Sequence, residues 1–434
     1  MESIVSQGSD ELIPSLDFSI GSNSASYIVS REFATFFSSQ NLVSSGGVRV
    51  AKWQLSSVNS FLDLSSLYFV MRLTNKGSAP IQFLGAEGWC MFNRFMSRVS
   101  GTLVDDIDNF ALGESIARRL LPLEKQENLS QMFLGHTASG TGDGILKSPP
   151  LAVGESRLVM FRPMTSAILN MSKLFPAFIL GSAGLEFSMT LADPNESTLS
   201  SSSSFELSDL RAICETVQVD SQLVESYTRV MLEGRSLFLD LNSIDHTTSF
   251  LPSGQNKFNV TSSRTFSRLN TLIAVLQQEP STGTNVSDIA TRLCNQLYQP
   301  ASTAFDIESH ITIAGTRMPL FSNRGVEHFV RFLRGTGLMA GIATSTAIGQ
   351  AGFFGTVATV PANNVNAVSC LFVSDTERMP SNDHTGLPLD AGNLLTIFFD
   401  KVGTTSAEAP SRVVLQYHYS TILELSNGGA TFYS

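Results

Sequence analysis

The side chains that could bind a metal, activate a nucleophile or cradle a phosphate are few in this chain, and poorly spaced for those tasks. Its six histidines, His136, His246, His310, His328, His384 and His418, form no i, i+2 or i, i+4 pair. A zinc site would therefore have to be assembled by the tertiary fold, and isolated, hydrogen-bonded histidines are expected instead. Cys90, Cys214, Cys294 and Cys370 make no CxxC pair and read as buried free thiols of a reducing compartment. Asp105-Asp106 with Asp108 offers oxygen ligands to a hard cation. The expectation there is a solvated acidic turn that starts a helix, because carboxylates complement the helix dipole. Gly335-Thr336-Gly337 with Gly341 imitates a dinucleotide loop, but it follows a helical pattern and its spacing is one residue too long. The sequence contains no G-x-S-x-G elbow, H-E-x-x-H pair or phosphate-binding G-x-x-x-x-G-K-[ST] loop. No catalytic, cofactor-binding or metal residue is assigned, no cofactor is expected, and the chain is read as a non-enzyme.

Composition points to a chain that works by packing. Charged residues make up 15% of the 434, against roughly 25% in ordinary soluble proteins. A protein enclosed by neighbours has less need of a charged exterior. Lysine occurs only at Lys52, Lys76, Lys125, Lys147, Lys173, Lys257 and Lys401, so most of the 28 basic residues are arginine, and there are 30 phenylalanines. Interfaces favour Arg and aromatics over Lys, whose hydrated, flexible ammonium is costly to immobilise and dry. The net charge is −10. The opening segment carries Glu2, Asp10, Glu11 and Asp17 without a basic residue, so strong direct nucleic-acid binding is not expected. It also lacks the pattern of a signal peptide. Asn128, Asn170, Asn195, Asn259 and Asn285 begin N-x-S/T triplets, a number that chance supplies in so Ser- and Thr-rich a chain, and glycosylation is not expected.

The elements that would position any site are mostly strands. Runs of Val, Ile, Phe, Thr and Leu bounded by Gly, Ser, Asn and Pro predict strands at 49–56, 64–74, 98–104, 157–161, 185–191 and 210–219, then 237–244, 258–262, 269–277, 308–313, 394–399 and 413–419. Apolar stripes predict helices at 108–121, 221–232, 288–298 and 325–333, the second opened by Asp220 and Ser221 and closed before Gly234. The uncharged stretch 335–374 reads as strand and loop covered by neighbouring subunits, its small residues being too weakly hydrophobic for a spanning helix. The serine cluster 197–204 reads as a surface loop.

A faint internal repeat appears. Val99-Ser100-Gly101-Thr102 precedes the helix ending in Arg118-Arg119-Leu120-Leu121, and Ile313-Ala314-Gly315-Thr316 precedes the helix containing Val330-Arg331-Phe332-Leu333. Each half reads strands, helix, loops, strands. The fold class is all-β with a few short helices, as two tandem jelly-roll β-sandwiches. Residues 1–48 form an entry arm, 49–220 the first roll and 221–434 the second.

Four segments carry a family resemblance: Trp53-Gln54-Leu55 with Ser60–Leu64; Val217–Asp220 with the helix to Gly234 and strand 236–241; 310–319 with the helix after it; and Thr385–Leu389 with 393–400. In order and spacing they resemble the double jelly-roll major capsid proteins of tailless icosahedral DNA viruses, of the polinton-like virus and virophage type. The resemblance implies a homotrimer of six rolls that contacts neighbouring capsomers in a virion, with penton and minor capsid proteins as further partners and room for an internal membrane. Long surface towers are not expected in so compact a chain. Other readings stay open: a single jelly roll with a projecting domain, which unequal halves would favour; a carbohydrate-binding sandwich, which would be a stable monomer; and a cupin-type enzyme, which needs clustered His and carboxylate ligands.

Overall fold

The computed structural model describes residues 27–133, 148–198, 204–277, 307–337 and 370–433, with short gaps at 39, 45, 58–59, 84, 181–183, 253–254, 378–385, 391–392, 403–409 and 427–428, and also Ile348 and Phe353. The expected helix at 288–298, most of 335–374, and Cys294, His136 and His384 lie outside the described residues.

The first half contains β1 (Ile28–Phe37), β2 (Leu42–Val43), β3 (Val50–Leu55), β4 (Ser60–Asn75), β5 (Phe92–Val99), β6 (Thr102–Asp108), β7 (Ser156–Phe161), β8 (Leu185–Leu191) and β9 (Phe205–Val219). Helices α1 (Phe110–Arg119) and α2 (Leu123–Phe133) lie between β6 and β7, and α3 (Ser221–Leu232) joins the halves. The second half contains β10 (Leu237–Phe250), β11 (Phe258–Ser262), β12 (Phe266–Gln277), β13 (Glu308–Ile313), β14 (Thr316–Arg324), helix α4 (Glu327–Gly335), β15 (Phe372–Asp375), β16 (Leu387–Leu389), β17 (Leu395–Asp400), β18 (Arg412–Ser426) and β19 (Gly429–Tyr433).

The two halves share one topology. The first has sheets β1-β9-β4-β7 and β3-β8-β5-β6; the second has β10-β18-β12-β15 and β11-β17-β13-β14. Setting aside the short β2, β16 and β19, each half orders its eight main strands 1-8-3-6 and 2-7-4-5. That is a jelly roll, repeated in tandem. Every strand pairing among the described residues stays within one half. Strand β1 falls inside the segment expected as an entry arm, and pairs along its length with β9.

Local sequence explains these strands. In β3, Ala51, Trp53 and Leu55 are fully buried and alternate with exposed Val50, Lys52 and Gln54, the period of two required by one wet and one dry face. Trp53 meets Phe69 of β4 with ring centroids 4.9 Å apart, and Phe69 meets Phe187 of β8 edge-on at 5.8 Å. In the second roll Phe399 packs on Phe258 and Phe372 at 5.4 and 5.1 Å. Each such side chain contributes about 1.5–3 kcal/mol on burial. Asp220 caps α3, its Oδ1 accepting from the Gln222 N–H at 3.0 Å, and Gly234 (φ 81°) ends it.

The strand expected at 98–104 is instead the tip of a hairpin. Ser100 and Gly101 (φ 49° and 85°) turn β5 into β6, and Ala314 and Gly315 (φ 51° and 81°) turn β13 into β14. Two successive positive φ values match the right-handed twist of the strands. A helix follows each hairpin, so the repeat seen in sequence is a repeat of structure.

Candidate functional site

Helix α1 belongs to the first roll but meets the second. It starts after Asn109, whose left-handed backbone (φ 55°) turns the chain out of β6. Two buried carboxylates fix it. Glu114 accepts the Met164 and Thr165 N–H groups at 2.8 Å each and the Thr165 hydroxyl at 2.7 Å. Arg118 donates to Glu114 at 2.8 Å and makes two parallel bonds, both 3.0 Å, to Glu87. Asp105 of β6 accepts the Ser97 and Ser166 hydroxyls at 2.8 and 2.7 Å and the Ala167 N–H at 3.0 Å. Burial pushes the Asp105 carboxyl up, against the pull of those donors. The loop around 164–167 is thus held from both sides.

This corrects the solvated acidic turn at Asp105, while Asp106 and Asp108 do reach solvent just before α1. Asp105 is buried inside the roll. Asp106 takes Arg94 Nε and Nη2 at 2.7 Å each, and Asp108 takes Arg94 Nε at 3.1 Å. Asp106 and Asp108 share Arg94, whereas Asp105 is taken by neutral donors inside the roll, so the three carboxylates do not converge on one point.

With its charged side tied to its own roll, α1 turns Leu112 and Ile116 toward the second, where both join that roll's buried core. The reverse contact comes from Leu239 and Leu241 of β10 and Leu423 and Leu425 of β18, which join the core of the first roll. Polar bonds cross the seam from Asn109 Nδ2 to Thr248 Oγ1 (3.1 Å) and from the Thr102 hydroxyl to the Ala430 carbonyl (2.6 Å). A cleft of about 410 Å³ remains beside it, between Ile116, Leu120 and Thr165 of the first roll and Asn270, His418 and Ser420 of the second.

Two histidines expected to stand apart meet here. His246 of β10 bonds through Nε2 to Gln416 Oε1 at 3.3 Å, and Gln416 Nε2 lies 2.7 Å from His418 Nε2. Strand register brings them together: β10 and β18 pair His246 with Gln416 and Ile244 with His418. Burial lowers both imidazoles to about 4, so both are neutral at physiological pH. Sequence carried no local signal of this pair, because its members come from opposite ends of the second roll.

The remaining candidates are dispersed. His310 bonds Ser322 and packs, tilted, against Phe398; His328 bonds the Ile307 carbonyl. Cys90, Cys214 and Cys370 are buried free thiols, and burial pushes Cys90 and Cys214 up to about 12, which leaves them poor nucleophiles. Gly335 ends α4, where a Cβ would lie 2.5 Å from Val373 Cγ1; close packing accounts for that glycine. Among the described residues, no group of three or more His, Cys, Asp or Glu could hold a metal, and no helix is long and apolar enough to cross a membrane. Large apolar side chains do remain on the outer surface, with Phe33, Phe37, Phe250, Leu320 and Phe321 each more than two-thirds exposed.

No protein-family model matches the sequence, and no curated protein matches it. Solved structures do. The chain is similar to the PBCV-1 virus capsid (TM-score 0.57, 11% identity, 95% of this chain and 99% of that one). It is similar to the Faustovirus major capsid protein (0.55, 9%, 94% and 92%) and to the mavirus major capsid protein (0.52, 10%, 97% and 94%). The likeness spans both rolls and is a likeness of fold: the chain is a double jelly roll.

Proposed function

We propose that this chain is the major capsid protein of an icosahedral virus, assembling as trimers of six rolls that tile the shell. The observation that carries this reading is the tandem repetition of one eight-stranded roll, similar over more than nine-tenths of the chain to two viral major capsid proteins. The low charge content, scarce lysine and exposed phenylalanines support it, since such a surface favours burial against other protein. The mechanism is mechanical. Rigid sandwiches stand side by side, locked by buried ion pairs and apolar seams, and no bond-making chemistry is required.

Penton and minor capsid proteins would be further partners, and the virion its location. The acidic opening segment leaves genome contact to other components, basic proteins or an internal membrane. Negative-stain imaging of the purified protein tests the proposal. Six-sided particles with three-fold symmetry are expected, and a field of dispersed monomers would overturn it.

A further inference from the structure

Beside α1 the seam does not close. The cleft of about 410 Å³ that remains falls within the size range of small-molecule sites, roughly 300–1,000 Å³. Its floor is the face that β10, β18 and β12 turn toward the first roll. Asn242 and Ser420 stand opposite one another on that face. A polar ladder crosses the three strands there: Asn270 Nδ2 donates to Ser420 Oγ at 2.8 Å, and that hydroxyl donates to Asn242 Oδ1 at 3.1 Å. Ala117 and Leu120 of α1, with Met164, form an apolar wall above it.

The groups that this lining leaves unused decide what it can hold. Gln416 accepts from His246 Nε2 and donates to His418 Nε2 at 2.7 Å. His418 Nε2 therefore carries the lone pair, and the neutral ring carries its proton on Nδ1, a donor with no partner among the described residues. The exposed Asn242 accepts from Ser420, while its NH2 donates to no described group. At the opposite rim stands Glu377, after Thr376, which ties the chain to β12 by bonds to Asn270. The half-buried Glu377 carboxylate accepts no hydrogen bond and meets no cation among the described residues. Burial, together with Asp375, pushes that carboxyl up. Two N–H donors and one carboxylate acceptor thus share the lining of one recess.

Among the described residues that line the cleft there is no Lys or Arg. Nearby Arg162 gives its Nη2 to the Leu169 carbonyl and to Asn170 Oδ1. An anionic ligand would meet Glu377 with no counter-charge, and a cation would meet two N–H donors beside a single carboxylate. A hydroxyl both donates and accepts, so a row of hydroxyls satisfies both kinds of group. We propose that the cleft binds a neutral sugar, its hydroxyls donating to Glu377 and accepting from His418 and Asn242 while its C–H face lies on Ala117, Leu120 and Met164. The site belongs to a single chain and goes beyond the capsomer reading, since it needs neither a trimer nor a shell.

Saturation-transfer NMR and calorimetry on the full chain test it. Glucose, mannose, galactose and maltose serve as neutral probes, with protonated glucosamine and glucuronate as charged ones. At least one neutral probe is expected to bind, more tightly than either charged probe. Glu377→Ala is expected to weaken that binding about tenfold, the loss of a hydrogen bond to a charged group. Ala117→Phe fills the apolar side of the cleft and is expected to abolish binding. Asn242→Leu, at an exposed position, is expected to weaken it and keeps the test open where Ala117→Phe fails to fold, which circular dichroism reads. Methyl glycosides of the same sugars tell a glycan end, which they mimic, from a free solute, and binding of either form upholds the site. Failure of every neutral probe to bind overturns the proposal. So does binding that the folded variants leave unchanged, because the sugar would then sit elsewhere on the chain. Tighter binding of a charged probe overturns it as well, since the cleft would then select for charge.

Discussion

Gly113 of α1 and His246 of β10 touch across the two rolls, so closely that a Cβ on Gly113 would lie 2.9 Å from His246 Cε1. A glycine inside a helix costs about 1 kcal/mol relative to alanine, yet here it lets the helix lie against the imidazole. Gly113→Ala gains that propensity and overpacks the seam, a penalty of about 1–3 kcal/mol. We expect net destabilisation, read as a lower thermal midpoint. A raised midpoint would show that the seam has slack.

His246 makes the same seam sensitive to acid. Its imidazole titrates near 4 when folded, against 6.5 when exposed. Between those values the unfolded chain binds the proton and the folded one does not. The stability is therefore whole above pH 6.5 and declines as pH falls toward 4, by about 3 kcal/mol for this residue. Denaturant unfolding of the parent and of His246→Asn at pH 7 and pH 5 checks the sign. The gap between them should narrow at pH 5.

Arg118 bridges Glu87 and Glu114 in the interior. Removing one partner of a buried pair strands the other charges and costs about 3–5 kcal/mol. Arg118→Met should show a loss of that order in urea unfolding, with the first roll affected most in hydrogen exchange.

Ala314 sits at φ 51° in the hairpin between β13 and β14, a conformation costing a non-glycine residue about 1–2 kcal/mol. Asparagine tolerates it better and is favoured before glycine in this turn. Ala314→Asn should stabilise the chain by about 0.5–1 kcal/mol, measured as a higher denaturation midpoint.

Much of the fold was legible because alternation and turn residues are local signals. Leu185–Leu191, Phe258–Ser262, Glu308–Ile313 and Ser221–Leu232 lie where periodicity and caps put them. What escaped was set by partners distant in sequence. β1 carries Phe33 and Phe37 outward and Phe36 inward, which blurs its alternation. β14 contains Pro319 and two exposed apolar residues, Leu320 and Phe321, so it lacks the pattern of a half-buried strand. The strand expected at 98–104 ran across the Ser100-Gly101 turn, because the short strands on either side of it merge into one apolar run. The His246–Gln416–His418 chain and the burial of Asp105 depend on strand register and on a loop some 60 residues downstream of Asp105, and no local window contains either.

The central claim is that two sandwiches poor in charge reach their working state by covering one another's flanks. Light scattering coupled to size exclusion, on the full chain at micromolar concentration and neutral pH, tests it most directly. The account predicts a single species of three times the 46.9 kDa chain mass. A sharp peak at the mass of one chain, unchanged across a hundredfold range of concentration, would contradict it.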